Sequence, residues 1–147
     1  MAPKNRPPKL SGFRSRPHTA DAAFKLWGEN LADIFIQGAR ALYGLMTDRR
    51  RLRVHQVMEV EVEALDQEAL LVDWLNHLLY LYDTKGFLAR EIEILEISAT
   101  RLKARLAGEE LDLQRHVSKA GIKAATYHHL AITPNDGGWE GSIIFDL

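Results

Sequence analysis

VHQVMEVEVEALDQEALLVDWLNHLLYLYDTKG, residues 54–86, changes its hydrophobic period once, and that change sets the fold class. From Val54 to Glu63, Met58, Val60 and Val62 alternate with Glu59, Glu61 and Glu63. Period-two patterning with one charged face predicts an edge or half-buried strand. After Asp66, which can cap a helix, the period lengthens. Leu71, Trp74, Leu75, Leu78, Leu79 and Tyr82 recur at helical spacing, with Asp73, His77 and Tyr80 off the centre of the stripe. Thr84-Lys85-Gly86 is the expected stop, since glycine commonly closes a helix C-terminus.

The same alternation of types extends outward. Ala22 to Gly28 reads as a strand ending at glycine, and Asn30 can cap a helix with Asp33 three positions on. Leu31, Ile34, Phe35, Gly38, Leu42 and Leu45 give that helix a buried face, ending near Thr47-Asp48. Asp48 to Arg53 is a basic loop with four arginines. Downstream, Phe87 to Ser98 is strand-like. Ile92 and Ile94 lie in one phase and Leu95 and Ile97 in the other, which predicts a bulge between them. Leu102, Ala104 and Leu106 alternate with Arg101, Lys103 and Arg105, and Gly108-Glu109-Glu110 reads as a turn. Ile122 to Ile132 and Ser142 to Asp146 are two further strands, joined by the turn Pro134-Asn135-Asp136-Gly137-Gly138. Strand, helix, strand, helix and then several strands make an α+β fold with a mainly antiparallel β-sheet and two main α-helices, not a doubly wound one.

At 147 residues and 46% hydrophobic, the chain is expected to hold one core. Residues 1–16 carry Lys4, Arg6, Lys9, Arg14 and Arg16 among prolines and read as a mobile basic tail, followed by a single domain over 17–147. Net charge is −1, so there is no bulk field to recruit nucleic acid, although a local basic patch is compatible with it. No cysteine is present, which removes disulfides, thiolate zinc sites and cysteine nucleophiles. The first residues have no apolar segment behind them, and Ala69 to Tyr82 is interrupted by Asp73, Asn76 and His77. A secretory signal and a membrane span are therefore not expected, and the reading is cytoplasmic.

The sequence holds no glycine-rich nucleotide cradle, no His-x-x-x-His pair and no Gly-x-Ser-x-Gly elbow. What remains is a set of polar residues in unusual places. Asp21, in His18-Thr19-Ala20-Asp21, stands just ahead of a strand, where an Asx-type turn is its ordinary role. Asp146 follows the apolar Ile143-Ile144-Phe145, which should dock in the sheet and hold it on ordered backbone, with Leu147 beside it. Carboxylates about 4 Å apart repel by several kcal/mol at an effective dielectric near 20, so a set of them takes up a proton or a cation. Oxygen-only ligands favour Ca²⁺, Mg²⁺ or Mn²⁺ over zinc. Spacing alone does not bring Asp21 and Asp146 together. Lys123 opens Lys123-Ala124-Ala125-Thr126-Tyr127-His128; at a strand start it is ordinarily a solvated edge charge. Asp112 and His116 read as satisfied surface groups, Asp73 and Asn76 as makers of structural hydrogen bonds. His128 and His129, being adjacent in a strand, should face opposite ways.

Taken in order, His18-Thr19-Ala20-Asp21, Trp27-Gly28, Leu70-Leu71-Val72-Asp73-Trp74-Leu75-Asn76, Leu78-Leu79-Tyr80, Gly108-Glu109, Val117, Lys123-Ala124-Ala125-Thr126-Tyr127-His128 and Phe145-Asp146-Leu147 resemble the archease family from about Pro17 onward. The resemblance implies an accessory protein, not an enzyme, that activates an RtcB-type RNA ligase in tRNA splicing and RNA repair. Such a protein promotes guanylylation of the ligase by GTP and restores its turnover, and meets tRNA and GTP only through the ligase. It further implies that Asp21, Asp146 and the final residue, Leu147, bind a divalent cation such as Ca²⁺, and that Lys123, with His18 nearby, serves activation. On that reading, residues added after Leu147 should weaken cation binding. Two other readings compete: a stand-alone metal-dependent RNA-processing hydrolase, and an RNA-binding or chaperone-like module using the tail and Arg49-Arg50-Arg51 with Arg53.

Overall fold

A computed structural model describes residues 11–16, 21–116 and 121–147. His18 and Val117, both singled out above, lie outside the described residues, as do residues 1–10 of the basic tail.

The fold is α+β; the described residues form two helices and seven strands in two antiparallel sheets. The first sheet has the order β1-β2-β7-β6, from β1 (Gly12–Arg16), β2 (Asp21–Gly28), β6 (Ala124–Asn135) and β7 (Gly138–Asp146). The second has the order β3-β5-β4, from β3 (Gln56–Glu63), β4 (Phe87–Ile97) and β5 (Arg101–Glu110). The helices are α1 (Leu31–Met46) and α2 (Gln67–Lys85), with a single 3₁₀ turn at Arg49–Arg51.

Local chemistry sets the boundaries where the sequence placed them. The Asn30 side chain accepts from the Asp33 N–H at 2.9 Å, and Asp33 Oδ2 accepts in turn from the Glu29 N–H at 2.8 Å. This reciprocal cap satisfies donors that a helix start leaves open. Asp66 does the same for α2 through the Ala69 N–H, and Gly86 closes it in the left-handed region at φ 66°. Trp74 is fully buried in α2 and donates its indole N–H to the Phe35 carbonyl of α1 at 3.0 Å. One side chain thus fills the core and fixes helix on helix. The period change at Glu63 is correct in both halves: Val60 is buried in β3, and Leu70, Leu71, Leu75 and Leu78 are fully buried on α2.

Two boundaries differ from expectation. Gly12–Arg16, read as the end of the tail, is a strand paired with β2 from Gly12↔Trp27 to Arg16↔Ala23. Its arginines alternate with Phe13 and Ser15, and Phe13 packs edge-on to Phe24 at 5.8 Å, so the segment has an apolar face that its charge concealed. Gly108-Glu109-Glu110 is not a turn but the end of β5. A Cβ on Gly108 would drive into the Leu88 carbonyl oxygen, so glycine is there for close approach of two strands. The predicted bulge is present, as a register shift between Ile94 and Glu96, with a second one between Ala89 and Glu91.

Candidate functional site

Position in the sheet is what makes a site of the sequence's scattered polar residues. β2 and β7 are antiparallel neighbours, and their register places Asp21 directly opposite Asp146. Directly opposed residues of an antiparallel pair stand on the same face with Cβ atoms about 4.5–5.5 Å apart. On the other side of β7, Ala124 of β6 is opposite Asp146, and the Lys123 N–H donates to the Asp146 carbonyl at 2.8 Å. Asp21 and Asp146 therefore stand opposite each other at one end of the sheet, with the Lys123 backbone bonded beside them. Asp146 and Lys123 are exposed and Asp21 is half-buried; Leu147 is 41% exposed beside them.

The strand carrying Asp146 is anchored from within. Phe145 is fully buried and meets Phe24 edge-on at 5.9 Å, so Ile143-Ile144-Phe145 docks as its composition requires. The strand carrying Lys123 is held from outside. β6 is an edge, and the amide of Asn76 on α2 takes the place of a missing neighbour. It accepts from the Ala125 N–H at 2.8 Å and donates to the Ala125 carbonyl at 3.3 Å. Asn76 thus makes the structural bonds expected of it, two residues from Lys123. Asp73 does not: it is exposed, and its carboxylate makes no hydrogen bond among the described residues. Replacing Asn76 by leucine keeps the size and removes both bonds. It should lower stability by about 1–3 kcal/mol and speed hydrogen exchange at Ala125 most of all. Unchanged exchange there would refute the clamp.

The donor set consists of oxygen atoms only, which suits a hard divalent cation and not zinc. Among the described residues, no three His, Asp or Glu side chains come together in a group that could hold a metal ion; Asp21 and Asp146 are related by strand register.

Three other sequence readings change. His116 is satisfied but buried, not superficial: its Nδ1 accepts from the Asp112 N–H at 2.8 Å and its Nε2 lies 3.1 Å from Glu109. A ring whose Nδ1 accepts carries its proton on Nε2, so Nε2–H donates to the carboxylate. His128 and His129 do not point apart; their rings lie 4.2 Å from each other. His129 takes φ 53°, and the β6–β7 register slips between Thr126 and Ala131, which breaks the alternation. Glu109, assigned to a turn, is the hub of a buried cluster. Its carboxylate accepts from the Arg53 N–H at 2.6 Å, pairs with Arg115 and takes the His116 bond. Burial alone would push this carboxyl up, but the Arg115, Arg53 and His116 donors bring it down to about 2. Its partners come from two segments, the loop after α1 and the stretch that follows β5.

Comparison with known proteins identifies the family and the fold. The model of the Archease protein family matches residues 13–147. The chain belongs to the archease family. Among relatives, the protein archease of Thermococcus gammatolerans is 38% identical over 135 residues, covering 88% of this chain and 94% of its own. That of Methanopyrus kandleri is 32% identical over 133 residues, covering 88% and 95%. The solution structure of Methanobacterium thermoautotrophicum protein 1598 superposes with a TM-score of 0.77 at 32% identity, covering 92% of this chain and 99% of its own. A Thermotoga maritima archease, described as a possible chaperone, shares the fold at a TM-score of 0.60 and 20% identity, covering 90% and 96%. The archease match begins inside β1, which places Phe13 onward with the domain. No helix among the described residues is long and apolar enough to cross a membrane.

Proposed function

We propose that this archease-family protein activates an RtcB-type RNA ligase, and that the Asp21–Asp146–Lys123 end of the first sheet is the part that engages it. The observation that carries this is the register pairing of Asp21 with Asp146 beside Lys123. Two aspartates and a lysine at the exposed end of a rigid sheet can be offered to another protein's active centre.

Asp21 and Asp146, together with Leu147, hold a divalent cation in this reading. Calcium, magnesium and manganese all take six or more oxygen ligands, so two carboxylates leave positions for water or for partner groups. When bound, such an ion supplies positive charge beside phosphate oxygens. Lys123 serves as a compact ammonium that meets a phosphate of GTP on the ligase. His18 stands three residues before Asp21 and is assigned to the same contact. The protein itself transforms no substrate. It acts in the cytoplasm, and RNA and GTP reach it through the ligase.

The test is a ligation reaction with RtcB-type ligase, GTP, Mn²⁺ and RNA ends bearing 3′-phosphate and 5′-hydroxyl. Adding this protein should raise ligase guanylylation and the number of turnovers. Lys123→Ala should lose at least tenfold of that stimulation while folding normally. Equal turnover with and without the protein rules the reading out, and RNA cleavage by the protein and Mn²⁺ alone would favour a hydrolase.

A further inference from the structure

A second charged feature lies apart from the aspartate pair in composition and in the elements that build it. The loop after α1, the strand β4 and the segment after β5 together border an open cavity of about 420 Å³ lined by Arg50, Arg51, Leu52, Arg53, Arg90 and Arg115. Five of six lining residues are arginines, in a chain whose net charge is −1. The sequence shows three of them as neighbours. Arg90 and Arg115 arrive only through the fold.

The frame is rigid and its charge is incompletely answered. Arg50 is held by both oxygens of Asp48 at 3.1 Å. Arg115 pairs with Glu109 and with Asp112 at 3.4 Å, and donates to the Arg51 carbonyl at 3.3 Å. Arg90 donates to the Leu52 carbonyl at 3.0 Å. The buried Glu109 also holds the Arg53 N–H. Three guanidiniums are thus held, two by ion pairs and that of Arg90 by a carbonyl alone, while Arg51, Arg53 and Arg90 form no ion pair among the described residues. Arg51 and Arg53 are exposed. Alongside, burial and then the nearby Arg40 make Arg49 less basic than usual, and its Nε is buried without a hydrogen-bond partner. Assembling like charges is costly unless an anion answers them.

We propose that this cavity binds phosphate groups of an RNA strand or a nucleotide. Guanidiniums enter it from three separate elements, an arrangement suited to the several oxygens of a tetrahedral phosphate. The lining has no aromatic ring to stack on a base and no amide to read one, so the contact is to phosphate and carries no sequence preference. Such a phosphate contact adds to whatever reaches the protein through a ligase and does not rest on the ligase reading, since it is measured with no ligase present.

The experiment is fluorescence anisotropy of a labelled 12-nucleotide RNA with the full chain, titrated over a range of salt. Arg51→Ala combined with Arg53→Ala should weaken binding at least tenfold. It should also flatten the dependence of log affinity on log salt by about 1.4, the value for two lost phosphate contacts on a single strand. Arg51→Gln with Arg53→Gln should repeat the loss at an unchanged melting temperature, which separates it from misfolding. Affinity that rises with RNA length assigns the site to a strand; GTP displacing the RNA, with no length dependence, assigns it to a nucleotide. Wild-type affinity in both double variants overturns the proposal. So does displacement of RNA by polyglutamate as readily as by pyrophosphate of equal charge.

Discussion

With a divalent cation in solution, Asp146→Asn is expected to melt about 6 °C below the wild type, and the two should coincide once the cation is chelated. A ligand that binds only the folded state stabilises it by RT ln(1 + [L]/Kd), about 2.7 kcal/mol at a hundred times Kd. Asp146 is one of two opposed carboxylates, so neutralising it removes half of the side-chain charge offered to the ion. Losing even a supporting residue of a metal site costs up to about a hundredfold in affinity. At that loss the same concentration yields only about 0.4 kcal/mol. The difference, about 2.3 kcal/mol, corresponds to roughly 5–9 °C for a chain of this size. Asp21→Asn should behave alike, and Lys123→Ala should keep the full cation-induced shift while losing activation. An equal shift in wild type and both aspartate variants would show that the pair is not the cation site. That result would leave ligase activation itself to be judged separately.

The larger effect on folding is expected at Glu109. Its carboxylate is 4% exposed and answers Arg115, His116 and the Arg53 N–H together. Removing one partner of a buried ion pair strands the other, which costs about 3–5 kcal/mol. Glu109→Ala should show that loss in urea melts at pH 7. The pH dependence has a definite sign. The carboxyl lies near 4.5 when unperturbed and falls to about 2 in the folded protein. A depressed acid contributes stability that is complete above about 4.5 and disappears as the pH drops toward 2. The gap between wild type and Glu109→Ala should therefore narrow across that window and nowhere above it. A gap of constant size from pH 7 to pH 3 would mean that Glu109 contributes by packing and not by charge.

Much of the fold could be read from periodicity. Both helices were placed by their caps, Asn30 and Asp66, and by the stripes running through Phe35 and Trp74. These are local signals, carried within a few residues of where they act. β1 was hidden because its arginines make the segment read as a solvated tail, while Phe24, the partner of Phe13, lies in another strand. Glu109 was hidden because Gly108-Glu109-Glu110 resembles a turn, and because the Arg53 N–H that it accepts comes from a loop 56 residues away. The candidate site divides in the same way. Asp146 stood out through the apolar run before it, and Asp21 did not, since one aspartate before a strand is ordinarily a turn residue. What joins them is strand order, β2 beside β7, and no spacing rule contains that. The resemblance to archeases supplied the pairing before the register did.

One consequence of the way β6 is finished concerns solubility. An open sheet edge is a template on which another chain can add itself. Along β6, Asn76 occupies both backbone groups of Ala125, Gln67 takes the Ile132 carbonyl at 3.2 Å, and Pro134 has no N–H to give. Between them the strand kinks at His129 and loses register. A second molecule approaching this edge finds no uninterrupted ladder to extend. The protein can therefore be concentrated without seeding fibres along β6, and the side chains that hold Lys123 in place also keep copies of the protein apart.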